Sequence, residues 1–114
     1  MKVKELVEQL GLKMIAGEGG VGKEVKGCYV CDLLSWVMSH AQKDNMWITV
    51  QTNVNIVAVA VLTEVACIVI PEDIEVDSLT IEKANMEDIP LLSASLSSFD
   101  IVQQLLQCSE FKMN

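Results

Sequence analysis

The stretch from Met46 to Ile70, MWITVQTNVNIVAVAVLTEVACIVI, constrains the fold more than any other part of the chain. Trp47-Ile48-Thr49-Val50 reads as a strand, and Val65 to Ile70 is a second, β-branched run. Between them, Val54 to Leu62 is apolar at every position except Asn55. Two strands separated by about a dozen residues are what a right-handed crossover needs. Both strand runs are almost continuously apolar, which fits parallel strands covered on both faces. The polar knot Gln51-Thr52-Asn53 then falls where the first strand ends and the helix begins. In open α/β sheets ligands bind at that end of the strands.

The flanking segments extend this unit. Lys2 to Leu10 places Val3, Leu6, Val7 and Leu10 on one helical face, with Gly11 as its stop. Leu12 to Ala16 reads as a short strand, Gly17 to Lys23 as a loop, and Val25 to Val30 as a strand weakened by Gly27. Asp32 is expected to cap a helix ending near Lys43, with Leu33, Leu34, Val37, Met38 and Ala41 as its apolar stripe. Asp77 or Ser78 should open a helix to about Glu87, with Leu79, Ala84 and Met86 inward. Pro90 to Ala94 reads as a strand. Ser97-x-x-Asp100 opens a last helix bearing Ile101, Val102, Leu105 and Leu106. The tail beyond Cys108 is expected to fray.

Strands alternating with helices predict an α/β fold. The expected form is a mainly parallel sheet of four to five strands with helices on both faces. Its βαβαβα core is preceded by the N-terminal helix and a short, hairpin-like β arm. No linker or repeat divides residues 1–114, so one domain is expected.

Charge narrows the partners. The net charge is −8, from 16 acidic and 8 basic residues, and every basic residue is Lys. Without Arg there is no bidentate fork for phosphate or guanine, which argues against nucleic acid and anionic membranes as partners. No apolar run reaches the roughly 18 residues of a spanning helix. The N-terminal residues alternate Lys and Glu with apolar positions, unlike a signal peptide. Four Cys in such a chain read as reduced thiols, so a cytoplasmic location is expected. The apolar share of 51% is high for a small domain and predicts that some of it is buried in a homodimer.

Three motifs suggest chemistry that their context does not support. Gly17 to Lys23, GEGGVGK, matches most of a phosphate-binding loop. However, Glu24 occupies the position of the magnesium-binding Ser/Thr, and strand-like VKGCYV follows where a helix is required. Glycines serving a tight connection explain it better. Cys28-Tyr29-Val30-Cys31 is a C-x-x-C on a strand, where residues three apart face opposite ways and cannot form a redox pair. No second pair completes a zinc site, and no metal or cofactor is expected. His40 is the one histidine and falls near a helix C-terminus, with no nucleophile nearby in sequence. No catalytic residue is assigned.

The ligand-binding candidates are instead Asp32, Gln51, Thr52, Asn53, Asn55, Ser93, Ser95 and Ser97. All fall at expected carboxyl ends of strands, where hydrogen-bonding side chains would wall a crevice. One of Thr52 and Asn53 is expected to cap the following helix.

The segments LGLKMIAGEGG, GCYVCDLLSWVMSHA, MWITVQTNVNIVAVAV, VACIVI and IPLLSASLSSFDIVQQL together resemble the DRTGG domain. That family occurs beside CBS domains and within some phosphate acetyltransferases. It is related in fold to the N-terminal domains of HPr kinase/phosphorylase and of Mur ligases. The Asp-Arg of its name would fall near Thr52-Asn53 and the Thr-Gly-Gly near Pro71-Glu72-Asp73; this chain has neither. The resemblance implies a non-catalytic regulatory or small-ligand-sensing domain, associated with an iron-hydrogenase or NADH-dehydrogenase-like redox enzyme. The alternatives are an interaction or scaffold subunit without a metabolite, and a nucleotide-binding enzyme using Gly17–Lys23.

Overall fold

A computed structural model describes residues 1–108 and 111. The elements are α1 (Val3–Leu10), β1 (Lys13–Ala16), β2 (Cys28–Val30), α2 (Leu34–His40), β3 (Met46–Ile48) and α3 (Asn55–Thr63). They continue with β4 (Cys67–Ile70), α4 (Ser78–Glu87), β5 (Leu91–Ser93) and α5 (Ser98–Gln107). The five strands form one sheet in the order β1-β5-β4-β3-β2. Strands β2 to β5 are parallel, and β1 is antiparallel to β5. The predicted crossover is therefore present: Trp47 pairs in register with Ile68 on a parallel neighbour, bridged by α3.

Strict alternation along the strands sorts the core into two layers. Met46, Ile48, Cys67, Val69 and Leu92 face Val3, Leu6 and Leu10 of α1 and Ile101 and Leu105 of α5. Trp47, Ile68, Ile70 and Leu91 face Val37 of α2, Ile56, Val57 and Ala60 of α3 and Ala84 of α4. This follows from handedness. Each step from β2 to β5 moves one place in the same direction, so each right-handed crossover lays its helix on the same face. The other face is left to α1 and α5. With both faces covered, β3 and β4 are buried at every position, as their continuous apolar runs required.

Several local expectations are corrected. β1 and β2 do not form a hairpin arm; they occupy opposite edges of the sheet, because β1 pairs with β5 and β2 with β3. Gly27 adopts φ +83, so β2 begins only at Cys28. Asp32 does not cap α2, which starts two residues later and has no side-chain cap. That helix ends at His40 rather than Lys43. In α4 the inward residues are Thr80 and Ala84, whereas Leu79 and Met86 are exposed. Leu106 is likewise exposed on α5. At the start of α5 the Ser97 hydroxyl accepts from Asp100 N at 3.2 Å, as the motif predicted. The tail expected to fray lies, apart from residue 111, outside the described residues.

Candidate functional site

The site grows from the carboxyl ends of β2 and β3. Trp47 is fully buried, and its ring N–H donates to Cys31 O at 3.0 Å, fixing where the chain leaves β2. Asp32 follows immediately. Its Oδ1 accepts from Thr49 Oγ1 and from Val50 N, each at 2.9 Å. Thr49 Oγ1 also accepts from Gln51 N at 3.2 Å, and Gln51 Nε2 returns a bond to Asp32 O at 3.0 Å. A buried hydroxyl and an exposed carboxylate thus lock the two strand ends together. Charge-assisted bonds of this kind exceed neutral ones in strength.

The chain of bonds continues toward α3 and α4. Gln51 Oε1 accepts from Asn53 Nδ2 at 3.2 Å, and Asn53 Oδ1 accepts from Asn55 N at 2.9 Å. Neither Thr52 nor Asn53 is the formal cap, since that position is Val54 without a side-chain bond. Asn53 nevertheless serves the first turn from one residue upstream. Thr52 turns the other way: its carbonyl accepts from the buried Thr80 hydroxyl, and its own hydroxyl lies 3.5 Å from Asp77 Oδ1.

The serines stand apart. Among the described residues, Ser93, Ser95 and Ser97 make no hydrogen bond to Gln51–Asn55. β4 separates β3 from β5, placing the two strand ends roughly 10 Å apart. The change of helix side, after β5, falls between β4 and β5 rather than at β3. There the two loops are joined by Glu72 N donating to Leu96 O and Asp73 N to Ala94 O, each at 2.9 Å. Ser93 instead lines a cavity of about 600 Å³ beside Lys13, Asp73, Glu75 and Ile81. A smaller cavity, about 380 Å³, lies at the opposite ends of the strands between Lys23, Lys43, Glu64 and Ile89. The candidates therefore divide into one connected network and one separate serine group.

The tempting motifs resolve structurally. Gly17 has φ +75 and donates to Asn85 Oδ1 at 2.8 Å, and a Cβ there would strike the Ile89 carbonyl. A Cβ on Gly20 would meet Asp88 O, and Lys23 Nζ donates to that same oxygen at 3.1 Å. The glycines let this loop lie against the α4–β5 turn. Cys28 and Cys31 contribute to opposite core layers. Burial pushes the Cys28 thiol up to about 12 and raises Cys67 further. His40 stacks on Trp36 with ring centroids 4.0 Å apart. Among the described residues no three metal-binding side chains converge, and no helix is long and apolar enough to cross a membrane.

Sequence reasoning missed Thr49 and Thr80, the two buried hydroxyls that tie the network to the frame. A signal for Thr49 existed: it is the one hydroxyl in an otherwise apolar strand run. Thr80 had none, because α4 lacks a clear apolar stripe.

The DRTGG family model matches residues 5–108, nearly the whole chain. The chain belongs to the DRTGG domain family. This DRTGG domain is also similar in fold to a crystal structure from Clostridium perfringens pyrophosphatase. That structure holds the CBS and DRTGG domains of the enzyme's regulatory region, complexed with the activator diadenosine tetraphosphate. The TM-score is 0.71 at 14% identity, with 93% of this chain and 46% of that one covered. The present DRTGG domain thus spans less than half of that neighbour's length. No curated protein matches. Near the missing Thr-Gly-Gly of the family name, Glu72 and Asp73 adopt φ +58 and +54, a conformation glycine takes without steric cost.

Proposed function

We propose that this DRTGG domain is a non-catalytic regulatory module that binds a small polar ligand at the ends of β2 and β3. The observation that carries this reading is the Asp32–Thr49–Gln51–Asn53 network. It presents a carboxylate and two amides at the carboxyl ends of two parallel strands, on the ligand-receiving edge of an open α/β sheet although not at its switch point between β4 and β5. A carboxylate acceptor flanked by amides suits a neutral or cationic, donor-rich metabolite better than a polyphosphate. Nucleotides still belong in the screen, because the pyrophosphatase regulatory region is complexed with one.

The test is a thermal-shift screen of metabolites and nucleotides, since a ligand of the folded state raises Tm. Gln51→Ala and Asn53→Ala should each abolish the shift while the apo protein still melts cooperatively. If Ser93→Leu abolishes it and those two variants do not, the ligand occupies the cavity beside β1 instead.

A second reading, an interaction subunit, is favoured by the exposed Leu33 just before α2 and by the exposed Trp36, Leu62, Leu79 and Met86 on α2, α3 and α4. On that reading, binding to an iron-hydrogenase or NADH-dehydrogenase-like partner survives Gln51→Ala and is lost with Leu62→Lys.

A further inference from the structure

The two edges of the sheet are not equivalent. β1 is blunted by a bulge between Met14 and Ala16 and by Lys13, devices that discourage edge-to-edge pairing. β2 has neither: it pairs with β3 in regular register from Cys28 to Val30. Gly27 O accepts from Met46 N, and Cys31 N donates to Ile48 O, so these odd positions turn toward β3. By the two-residue period, Cys28 and Val30 point their N–H and C=O groups out of the sheet. Among the described residues none of those four groups is hydrogen-bonded within the chain.

We propose that β2 pairs antiparallel with β2 of a second copy of this chain, centred on Tyr29, to give a continuous ten-stranded sheet. The register follows from which groups remain available. Centring on Tyr29 sets Cys28 against Val30 of the second copy and Val30 against its Cys28, so all four outward groups of each copy are bonded. Centring on Cys28 would bring Lys26 opposite Val30, but Lys26 already donates its N–H to Asp44 O and accepts from Asn45 Nδ2. Centring on Val30 would use Asp32, whose carbonyl already accepts from Gln51. Val30, Leu33 and Trp36, each half or more exposed, stand on or beside this edge and supply apolar area for a twofold interface. The pairing does not depend on the ligand reading, since it uses the outer side of β2.

The test combines mass, exchange and cross-linking on the full chain. Light scattering should show the mass doubling as concentration rises through the micromolar range. Over that range the amides of Cys28 and Val30 should gain protection from hydrogen exchange, whereas that of Tyr29 is protected throughout. In a Cys31→Ser/Cys108→Ser background, Tyr29→Cys should form a disulfide dimer under mild oxidation. The central residues of this register form a non-hydrogen-bonded pair about 4.5 Å apart at Cα, within disulfide reach. Without Tyr29→Cys, that background should stay uncrosslinked, because the two Cys28 residues are offset by two positions. A monomer at every concentration, or a dimer without new protection at Cys28 and Val30, overturns the pairing. A Cys28–Cys28 cross-link overturns the register.

Discussion

Replacing Thr49 with valine isolates the hydroxyl that joins the site to the sheet. Thr49 is almost fully buried, and valine keeps its shape, so no cavity forms. Two bonds are lost: the one donated to the Asp32 carboxylate at 2.9 Å and the one accepted from Gln51 N at 3.2 Å. A bond to a charged acceptor contributes about 1.5 kcal/mol at the low end, which is appropriate because Asp32 is exposed. The Gln51 N–H, half-buried and able to reach water, adds about 0.5 kcal/mol. The extra buried methyl returns roughly 0.5 kcal/mol. The expected loss is about 1.5 kcal/mol, or about 6 °C in Tm for a domain of this size. Urea unfolding followed by tryptophan fluorescence should show a lower midpoint with an unchanged m-value. In a double-mutant cycle, Asp32→Ala should cost markedly less in the valine background than alone. A Thr49→Val protein within about 0.5 kcal/mol of the parent would refute the role given to this hydroxyl.

Gly17→Ala, which drives a Cβ into the Ile89 carbonyl from a left-handed backbone, should cost about 3 kcal/mol by chemical denaturation. Gly22→Ala, with open space around it, should be neutral; a nucleotide-binding loop would show the reverse ranking in an ATP titration. The double variant Glu72→Gly/Asp73→Gly should raise stability by about 1 kcal/mol, because relief of two left-handed residues exceeds the added chain entropy. Iodoacetamide at pH 8 should modify Cys31 and Cys108 in the native protein and leave Cys28 and Cys67 intact until denaturant is added, as mass spectrometry would show. The folded Cys28 thiol ionises near 12 against an ordinary 9.0, so the native state holds its proton while the unfolded chain releases it. That contribution is complete below pH 9. It is lost from there up to about pH 12, at a slope of about 1.4 kcal/mol per pH unit, which Cys28→Ala should reduce.

The fold was largely legible because a parallel sheet covered on both faces leaves a direct trace in sequence. The strands expected in Trp47–Val50 and Val65–Ile70, and observed over the shorter Met46–Ile48 and Cys67–Ile70, could be little else once Val54–Leu62 lay between them. The residues at the strand ends were legible for a related reason: Gln51, Thr52 and Asn53 interrupt apolar runs where a strand must hand over to a helix. Inward faces were harder to read where the helix stripe was weak. In α4, Leu79 and Met86 looked like core and are exposed, because Thr80 and Ala84 are the small residues that allow close approach, and Thr80 satisfies its hydroxyl on Thr52.

Sequence periodicity and chirality, both local properties of the backbone, determined the strands and the crossovers. Which strands become neighbours is not local. The separation of β1 and β2 to opposite edges and the insertion of β4 between Gln51 and Ser93 depend on how the whole sheet closes its hydrogen bonds. The capture of Asp32 by Thr49 rather than by its own helix belongs to the same class. A carboxylate takes the strongest donors within reach, and only the packed sheet brings Thr49 and Val50 to it.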